Sequence, residues 1–375
     1  MPDFIYDTNP ANVDGTTTFD VWADLLSAMQ QQNGGSSILA NGTNTIHLRC
    51  SSGLSATERL SFNGFTPSAA NNVKIIGERS NDFPFVLTDA DGTTETGLLS
   101  IHDDFVEVTS TGFGDAFIFA KKAETSARQL FTNYNNGTKL NGWILDGDGS
   151  TSVGGLYCVG DTEITNCLIM GCHRGFYGAI RASLGTTVDK ATIYNCLSIR
   201  SVGPITNTLI LKTDLSNTSQ NDGLHQDCDN NAFDVDKTNV RYSGTEGDLN
   251  SFFGVAENAQ TFPLQWGGVA IKGSSLLAGV ASDGGAVGAF GYAPTPTALI
   301  VGPINRGQAF AIALNGHRAG VDVNVFIREK NGDGTEYPCT VSNYGHFEIN
   351  VVAPSTSDMP AISIAECRIQ PIVSM

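Results

Sequence analysis

The chain is 375 residues long, which is enough for a large core and for two or three structural units. Its 38 Asp and Glu against 21 Lys and Arg give a net charge of -17, which excludes a nucleic-acid partner because affinity for phosphate backbones comes largely from Lys and Arg. The same charge disfavours anionic membranes, and no apolar run approaches the roughly 18 residues of a spanning helix, so we expect no membrane insertion.

Residues 1–40 are predicted to form a connector and one capping helix. Residues 1–9 lack the basic and apolar regions of a secretory signal, so we expect folding in a cytosol. Thr17 and Asp20 have the spacing of a capping box, and Gly34 with Gly35 is expected to end the helix. Apolar residues recur at helical spacing at Phe19, Trp22, Leu25, Leu26 and Met29. Placed before a run of strands, this helix is expected to cover the open end of a stacked structure.

Residues 41–292 are predicted to form many short strands. Only 16% of the residues are charged and 42 are glycine, a composition that favours strands joined by polar turns over long helices. The clearest strands are predicted at 46–50, 73–76, 105–109, 116–120 and 143–145. No convincing amphipathic helix interrupts them, which indicates an all-β region.

A repeat is visible within these strands. An Asn followed by a short apolar strand occurs at Asn141, Asn166 and Asn195, with spacings of 25 (166 minus 141) and 29 (195 minus 166) residues. Such spacings suit one coil of a parallel β-helix, in which each turn buries its face only by stacking on its neighbours. The segment around Asn207 repeats the one around Asn166, yet lies only 12 residues after Asn195. It either begins a second strand of the same coil or matches by chance.

The eight cysteines are scattered and include no CxxC pair, so neither a zinc site nor a redox motif is indicated. In a reducing compartment we expect buried free thiols, because cysteine packs like a small hydrophobe. We expect no cofactor and no metal. Residues 146–149 (DGDG), like two other acidic stretches at 89–92 and 331–334, resemble fragments of calcium loops but lack the later bidentate Glu, so we interpret them as tight turns.

Residues 298–375 follow a linker at 293–297 and differ from the preceding region in their pattern of predicted strands. Alternating strands are predicted at 310–314, 321–327, 347–352 and 362–369. The sequence NGDG at 331–334 has the character of a hairpin turn. A C-terminal antiparallel β-sandwich fits this pattern best.

Several segments together resemble a known family. They are residues 7–12 (DTNPAN), the short helix with Trp22, the Asn-Cys strand repeats, and residues 272–277 (KGSSLL) and 287–292 (VGAFGY). They are similar to the pectate-lyase-like right-handed parallel β-helix proteins of tailed-bacteriophage virions, over roughly residues 1–292. The resemblance is specific to an architecture and not to a reaction. It implies a place on a capsid or tail, docking onto other virion proteins, and self-association, for which a trimer is the typical form.

The best candidate for chemistry is the acidic segment 221–229. On a strand, His225, Asp227 and Asp229 would share one face, and Asp222 lies just before them. These groups have the chemistry of an acid, a base or a metal ligand, or of a sugar-binding patch without catalysis. The alternative interpretation, which we favour, is a polar turn with a solvated face. The Arg-x-Pro-x-x-Arg segment of pectate lyases and the Gly-His-Gly of polygalacturonases are both absent from the sequence.

Three functional hypotheses follow. The first is a non-enzymatic virion structural protein, made in the host cytoplasm and serving as capsid decoration, head spike or tail fibre, with contacts to host-surface glycans. The second is a tailspike polysaccharide depolymerase, a hydrolase or lyase, whose site includes Asp222, His225, Asp227 or Asp229. The third is a cellular β-helix adhesin, against which the lack of a signal peptide argues. We expect the first.

Overall fold

The structure is a computed structural model. It describes residues 3–37, 39, 42–80, 84–88, 97–112, 115–120, 128–174, 178–183, 185–194, 196–197, 199–200, 203–211, 213, 231–233, 264–265, 270–271, 281–283, 288–289, 304–305, 309–315, 322–329, 334–340, 346–352, 361–362 and 364–371. The chain divides into two compact units, Met1–Phe262 with Leu276–Gly291, and Pro263–Ser275 with Tyr292–Met375.

The described residues are mostly strands, so the all-β prediction is confirmed. The described helical elements are a 3-10 helix at Pro10–Asn12 and the α-helix α1 at Trp22–Gln32. The strands of the first unit are β1 (Phe4–Asp7), β2 (Thr18–Phe19), β3 (Asn44–Arg49), β4 (Leu60–Phe62), β5 (Val73–Gly77), β6 (Phe85–Thr88), β7 (Leu99–Ile101), β8 (Val106–Ser110), β9 (Ala116–Phe119), β10 (Arg128–Asn133), β11 (Thr138–Asn141), β12 (Ile144–Ser150), β13 (Val153–Cys158), β14 (Thr162–Thr165), β15 (Leu168–Cys172), β16 (Ile180–Ala182), β17 (Thr187–Asp189), β18 (Thr192–Tyr194), β19 (Ile199–Arg200), β20 (Ile205–Thr206), β21 (Leu209–Leu211) and β22 (Ala232–Phe233).

These 22 strands form three parallel sheets. The first sheet has the order β2-β1-β3-β5-β8-β11-β14-β17-β20, the second β22-β21-β18-β15-β12-β9-β6, and the third β19-β16-β13-β10-β7-β4. From β5 to β19, consecutive strands enter the first, second and third sheets in turn. Each strand from β5 to β16 therefore pairs with the third strand after it, as β5 does with β8 and β8 with β11. We call one passage through the three sheets a circuit.

Each sheet contributes a column of aligned apolar side chains to the core. All of these residues are at most 1% exposed and occupy equivalent positions on successive strands. The column of the first sheet is Phe4, Ile46, Ile75, Val108, Leu140, Ile164, Val188 and Ile205. That of the second is Leu87, Ile118, Leu145, Ile169, Ile193 and Ile210. That of the third is Leu60, Leu99, Phe131, Leu156, Ile180 and Ile199. Burial of such a side chain contributes about 1.5–3 kcal/mol, so the columns dominate the stability of this unit.

The helix α1 packs against the first two strands of the chain, β1 and β2. Trp22, Leu25 and Met29 are buried, and the Trp22 ring lies edge-on to Tyr6 of β1 with centroids 6.0 Å apart. Trp22 Nε1 donates a hydrogen bond of 2.8 Å to the carbonyl of Ser61 in β4. Gly34 and Gly35 follow the helix with φ of 68° and 77°, the left-handed conformation that ends helices.

Two details of the N-terminal prediction are wrong. Val21 is the N-cap of α1 and no side chain of the segment caps it; instead the Trp22 N–H donates to the Glu58 carboxylate, 3.0 Å away. Phe19 lies in β2 and not in the helix. The segment predicted as a connector also supplies β1, which pairs with β3 in the first sheet. The N-cap of α1 and the strands β1 and β2 depend on contacts between residues far apart in the sequence. The spacing of neighbouring residues does not predict such contacts.

The segment 7–12 ties the N-terminal strand to the first circuit. The Asp7 carboxylate is 2% exposed and accepts hydrogen bonds from the Ser51 hydroxyl, the Asn12 side-chain amide and the Asn9 N–H. A buried carboxylate costs free energy unless donors surround it, and these donors meet that requirement. The polar residues of this motif therefore have a structural explanation.

The strand register aligns different residues from those that the predicted Asn repeat aligns. Asn141 pairs with Thr165, so Gly142 is the counterpart of Asn166, and the circuit length here is 24 residues (165 minus 141). Asp189 pairs with Thr206, so the next two counterparts are Lys190 and Asn207. Lys190 therefore occupies the position after Asn166 in this series, and Asn195 lies outside the described residues. The match between the segments around Asn166 and Asn207 spans two circuits, so it arises neither from a second strand of the same coil nor by chance.

These four counterparts form a corner between the first and second sheets. Their φ angles are 78° at Gly142, 52° at Asn166, 50° at Lys190 and 49° at Asn207. The left-handed conformation is tolerated by Gly and Asn and costs other L-residues about 1–2 kcal/mol. The recurrence of Asn in the sequence thus reports a sharp turn, which is why the Asn motif was detectable.

The acidic stretch 146–149 is not a tight turn. It lies inside β12, and the Asp146 side chain is 1% exposed. The register of β12 against β15 shifts between Asp146 and Ser150, which identifies a bulge, and Gly149 has φ of 66°. The stretches at 89–92 and 331–333 lie outside the described residues.

The second unit contains antiparallel strands. They are β23 (Leu264–Gln265), β24 (Ala270–Ile271), β25 (Ile304–Asn305), β26 (Ala309–Asn315), β27 (Asp322–Glu329), β28 (Gly334–Thr340), β29 (His346–Val352), β30 (Ala361–Ile362) and β31 (Ile364–Pro371). The pairs are β23 with β24, β25 with β30, and β26 with β29, and a three-stranded sheet has the order β28-β27-β31. The predicted hairpin at 331–334 corresponds to the pairing of β27 with β28. β23 and β24 fall within the range predicted for parallel coils, yet they pair antiparallel.

Candidate functional site

A groove of about 490 Å³ crosses the outer face of the first sheet. Its floor comes from side chains of β8, β11, β14 and β17 and of the corner residues Asn166 and Lys190, and residues 282–283 form one wall. Side chains alternate between the two faces of a strand, so the residues beside the buried column point outward. Because the strands are parallel and in register, equivalent outward residues form rows across the strands.

The first row carries alternating charges. Lys74, Glu107, Lys139 and Glu163 occupy equivalent positions on β5, β8, β11 and β14. Lys74 Nζ lies 3.2 Å from Glu107 Oε1, and Lys139 Nζ lies 2.7 Å from Glu163 Oε2. The hydrogen bond to Glu163, followed by the charge of that carboxylate, raises the pKa of Lys139. These pairs are partly or largely exposed, so they contribute little stability and chiefly fix the charge pattern.

The second row is a chain of hydroxyl and amide groups. Asn141 Oδ1 accepts hydrogen bonds from Thr165 Oγ1 (3.0 Å) and Asn166 Nδ2 (2.9 Å), and Asn141 Nδ2 donates to Thr109 Oγ1 (3.3 Å). One amide therefore connects three successive strands. This holds the outward groups of the row in fixed positions.

The row continues on β17 and β20, where a distant segment closes the groove. Asp189 Oδ1 accepts from Thr206 Oγ1 (2.8 Å) and Asn207 Nδ2 (2.7 Å). Asn207 and Ser282 exchange two hydrogen bonds of 2.9 Å, one to the Ser282 hydroxyl and one from its N–H. Lys190 pairs with Asp283 beside them. The 282–283 wall is thus fixed to the corner of the last circuits.

The groove is rich in hydrogen-bond acceptors. Its lining holds four carboxylates and two ammonium groups, namely Glu107, Glu163, Asp189 and Asp283 against Lys139 and Lys190. Both ammonium groups are already paired, Lys139 with Glu163 and Lys190 with Asp283. The local field therefore disfavours anions and favours neutral ligands that bring donors of their own.

A second polar cluster lies on the same sheet, nearer its N-terminal strands. His47 Nδ1 is 3.0 Å from Glu78 Oε2 and His47 Nε2 is 3.7 Å from Asp3 Oδ2, and Arg49 Nε also bonds to Glu78. The hydrogen bond with Glu78 raises the pKa of His47 against the opposing effect of burial. Burial raises the pKa of Glu78, but the bonds and charges of His47 and Arg49 outweigh it, so its pKa is lowered overall. The carboxylates of this cluster therefore favour the protonated form of His47.

The described cysteines do not supply a nucleophile. The five whose side chains are described are all buried and free, as predicted: Cys50, Cys158, Cys167, Cys172 and Cys196. Burial raises the pKa of Cys50 to about 11 and those of Cys158 and Cys167 to about 12. Burial, followed by a hydrogen bond with Cys196, raises the pKa of Cys172. A reactive cysteine needs a lowered pKa, so Cys50, Cys158, Cys167 and Cys172 serve packing. The remaining three cysteines have no described side chain.

The site predicted from the sequence lies outside the described residues. This holds for Asp222, His225, Asp227 and Asp229 alike, so the structure neither brings them together nor separates them. The groove residues, in turn, were not singled out from the sequence. Within the described part of the chain, no group of three or more His, Cys, Asp or Glu side chains is placed to hold a metal ion.

Comparison of the chain with protein-family models, with curated proteins and with solved structures finds no match. No helix in the described ranges is long and apolar enough to cross a membrane.

Proposed function

We propose that the chain is a non-enzymatic structural protein of a tailed-bacteriophage virion, in which the three parallel sheets are the faces of a right-handed parallel β-helix. The observation that supports the β-helix is that strands β5 to β19 enter the three sheets in turn while their buried side chains remain in register. A chain that repeats this order winds about one core. Connections between parallel strands are right-handed in about 98% of cases, which favours the right-handed form.

The chemistry of the described residues supports a structural role. The interior is filled by apolar columns. The five cysteines with described side chains are buried, and burial raises the pKa of four of them. The outward rows of the first sheet are locked by hydrogen bonds and ion pairs between neighbouring strands. Such cross-strand contacts stabilise a stacked structure circuit by circuit.

The C-terminal strands are proposed to form an antiparallel β-sandwich. Support comes from the two antiparallel sheets, β28-β27-β31 and β26-β29, within one compact unit. Two sheets of this kind bury their apolar faces by packing on each other. In the virion we propose that the chain self-associates, as a trimer, and contacts other capsid or tail proteins.

The assignment to a virion rests on the resemblance of residues 1–292 and is tested directly. Particles purified from an infected culture are digested and examined by mass spectrometry for peptides of this chain. We expect peptides from both units at a constant ratio to the major capsid protein. Recovery of the chain only in the cell fraction, with none in particles, would refute the virion assignment and favour the cellular adhesin.

The handedness and the sandwich are tested by an experimental structure. A crystal or cryo-EM map should show right-handed circuits through β5–β19 and two face-to-face sheets after residue 304. Left-handed circuits, or C-terminal sheets that do not pack together, would contradict these parts of the proposal.

The depolymerase hypothesis is tested with the same protein. Capsular or lipopolysaccharide sugars of the host are incubated with the pure chain, and new reducing ends or unsaturated products are measured. The structural proposal expects none. Products that disappear in Asp227→Asn would refute the structural proposal and support the depolymerase hypothesis.

A further inference from the structure

We propose that Asn136 is a site of self-modification by deamidation. The backbone nitrogen of Gly137 attacks the side-chain amide of Asn136 and expels ammonia, and water opens the resulting succinimide to aspartate or isoaspartate. Both residues lie in the turn between β10 and β11, where the chain passes from the third sheet to the first. The inference goes beyond the proposed function and does not depend on it.

The reaction needs no reagent except water. A bond forms between Gly137 N and Asn136 Cγ, the bond between Cγ and Nδ2 breaks, and the proton of the Gly137 N–H leaves with Nδ2 as ammonia. One water then hydrolyses the imide. Cleavage on the Cγ side gives aspartate, and cleavage on the backbone carbonyl side gives isoaspartate, whose main chain runs through the former side chain.

The structure separates this pair from the other Asn-Gly pairs. Both residues are described in four pairs, at 33–34, 63–64, 136–137 and 141–142. A nitrogen whose N–H donates a hydrogen bond must lose that bond before it can attack. In three pairs the glycine N–H is engaged: Gly34 donates to the Gln31 carbonyl (2.9 Å), Gly64 to the Asp103 carboxylate and Gly142 to the Thr165 carbonyl (3.1 Å). The Gly137 N–H has no partner among the residues that the structure describes.

The surroundings of Asn136 leave its amide open to attack. Asn136 and Gly137 are both exposed. Asn136 Oδ1 accepts a hydrogen bond from the Asp161 N–H (3.0 Å), and this donor also stabilises the negative charge that develops on the oxygen when the nitrogen adds to Cγ. The Asn136 N–H is fixed by Asp104 Oδ1 (2.9 Å), and its carbonyl by the Phe105 N–H (3.2 Å). The backbone on the N-terminal side of the reacting bond is therefore anchored.

Asn141 is the contrasting case within the same chain. Its side-chain amide makes three hydrogen bonds with neighbouring circuits, and the N–H of the glycine that follows it is engaged. These bonds must break before the amide can react, so the rate at Asn141 should be at least about tenfold below that at Asn136.

The products weaken the turn. Aspartate at position 136 places a carboxylate next to Asp104 and adds one negative charge to the -17 of the chain. Isoaspartate lengthens the main chain by one carbon. Gly137 has φ of 70°, and a Cβ there would lie 3.2 Å from the Phe105 ring, so the turn has little room for an extra carbon. Aged chains should therefore be less stable than fresh ones.

The test follows the full-length chain during incubation at mildly alkaline pH in water enriched in heavy oxygen. Alkaline pH speeds the attack because it withdraws the proton from the nitrogen. After digestion at acidic pH, mass spectrometry with fragmentation measures each Asn-Gly pair. We expect Asn136 to take up heavy oxygen and to yield both aspartate and isoaspartate. It should react at least about tenfold faster than Asn33, Asn63 and Asn141.

Unfolding and two variants link the rate to the structure. In urea, where the hydrogen bonds are lost, the four rates should approach one another. Asn136→Gln requires a larger, slower-forming ring and should abolish the uptake at this position, whereas Asn33→Gln, the matched control, should leave it unchanged. After incubation the thermal midpoint of the unmodified chain should fall by roughly 1–3 °C, and that of Asn136→Gln should remain constant.

Three outcomes would overturn the inference. The first is an equal rate at Asn136 and Asn141 in the folded chain, or a faster one at Asn33 or Asn63. The second is aspartate without isoaspartate, which excludes the succinimide. The third is a thermal midpoint that falls equally in Asn136→Gln. None of them bears on the virion assignment, which mass spectrometry of particles decides.

Discussion

Asn166 and Asn207 occupy the same corner of the fold two circuits apart, with φ angles of 52° and 49°. Lys190 lies between them in the stack with φ of 50°, and Gly142 precedes them with 78°. The corner turns the chain from the first sheet into the second. Each residue there adopts a conformation that most L-residues avoid, so the corner is a point where sequence and fold constrain each other directly.

The first prediction concerns this corner. Asn166→Ala should lower the free energy of unfolding by about 1–2 kcal/mol, because alanine pays the full cost of the left-handed conformation. Asn166→Gly should cost less than about 1 kcal/mol, since glycine adopts that conformation readily and loses only the bond to Asn141 and some entropy. Urea unfolding followed by circular dichroism measures both. Equal stability of the two variants would contradict the explanation.

The corner also shows what the sequence could predict. Parallel strands with a repeat were predictable, because apolar columns need an apolar residue at one position of every circuit. The register was not, since circuit lengths vary from 33 residues between Ile75 and Val108 to 17 between Val188 and Ile205. Aligning the repeat on its Asn residues therefore misplaced Asn141 against Asn166 by one residue. The counterpart on the next circuit is Lys190, which an Asn motif does not detect.

The second prediction concerns the bulge in β12. A Cβ at Gly147 would lie 2.6 Å from the Gly171 carbonyl oxygen, and backbone does not yield easily. Gly147→Ala should therefore destabilise the protein by about 1–3 kcal/mol. Gly149 has open space around it and φ of 66°, so Gly149→Asn is the matched control and should be close to neutral. If 146–149 were an exposed turn, both variants would be tolerated alike in thermal unfolding.

The groove illustrates why a site can escape sequence analysis. Glu107, Lys139 and Glu163 are ordinary alternating strand residues that become a row only once the register is known. Ser282 lies 75 residues after its partner Asn207, and no local pattern predicts that contact. The sequence instead drew attention to 222–229, where His and Asp are close along the chain. Proximity in sequence favours such clusters, whereas a parallel stack builds its surface from residues a circuit apart.

The third prediction concerns the cap. Trp22→Ala should destabilise the first unit by about 3–5 kcal/mol, as expected for a buried tryptophan. Trp22→Phe keeps most of the packing but leaves the Ser61 carbonyl without its donor, so a loss of about 1–3 kcal/mol is expected. Hydrogen-exchange mass spectrometry should show faster exchange in β1 and β2, the strands that the helix contacts.

A control on the same helix separates packing from helix propensity. Gln30 is exposed, so Gln30→Ala should change stability by no more than about 0.5 kcal/mol and leave exchange in β1 unchanged. Unchanged exchange in β1 and β2 after Trp22→Ala would show that α1 does not protect these strands.

The fourth prediction is a pH dependence from the His47 cluster. The pKa of His47 is raised above 6.5, so its protonated form is stabilised by folding; this contribution is present below pH 6.5 and is lost as the pH rises through the folded-state value. The pKa of Glu78 is lowered below 4.5, so its contribution is present above pH 4.5 and is lost as the pH falls through its folded-state value. Two further charged groups face the pair: Asp3 raises the pKa of His47, and Arg49 lowers the pKa of both His47 and Glu78. The pair should stabilise most between pH 4.5 and 6.5.

Comparison of the thermal midpoint with that of His47→Gln across pH 4 to 9 measures this contribution. We expect the difference to be largest between pH 4.5 and 6.5 and to shrink at alkaline pH, where His47 is neutral and acts only as a weak hydrogen-bond partner. His102 supplies a control of opposite sign: burial lowers its pKa, so its contribution is present at high pH and is lost as the pH falls through 6.5. The difference in thermal midpoint between His102→Gln and the unmodified chain should therefore become smaller on acidification. A His47→Gln difference that stays constant to pH 9 would show that the His47 proton does not stabilise the fold.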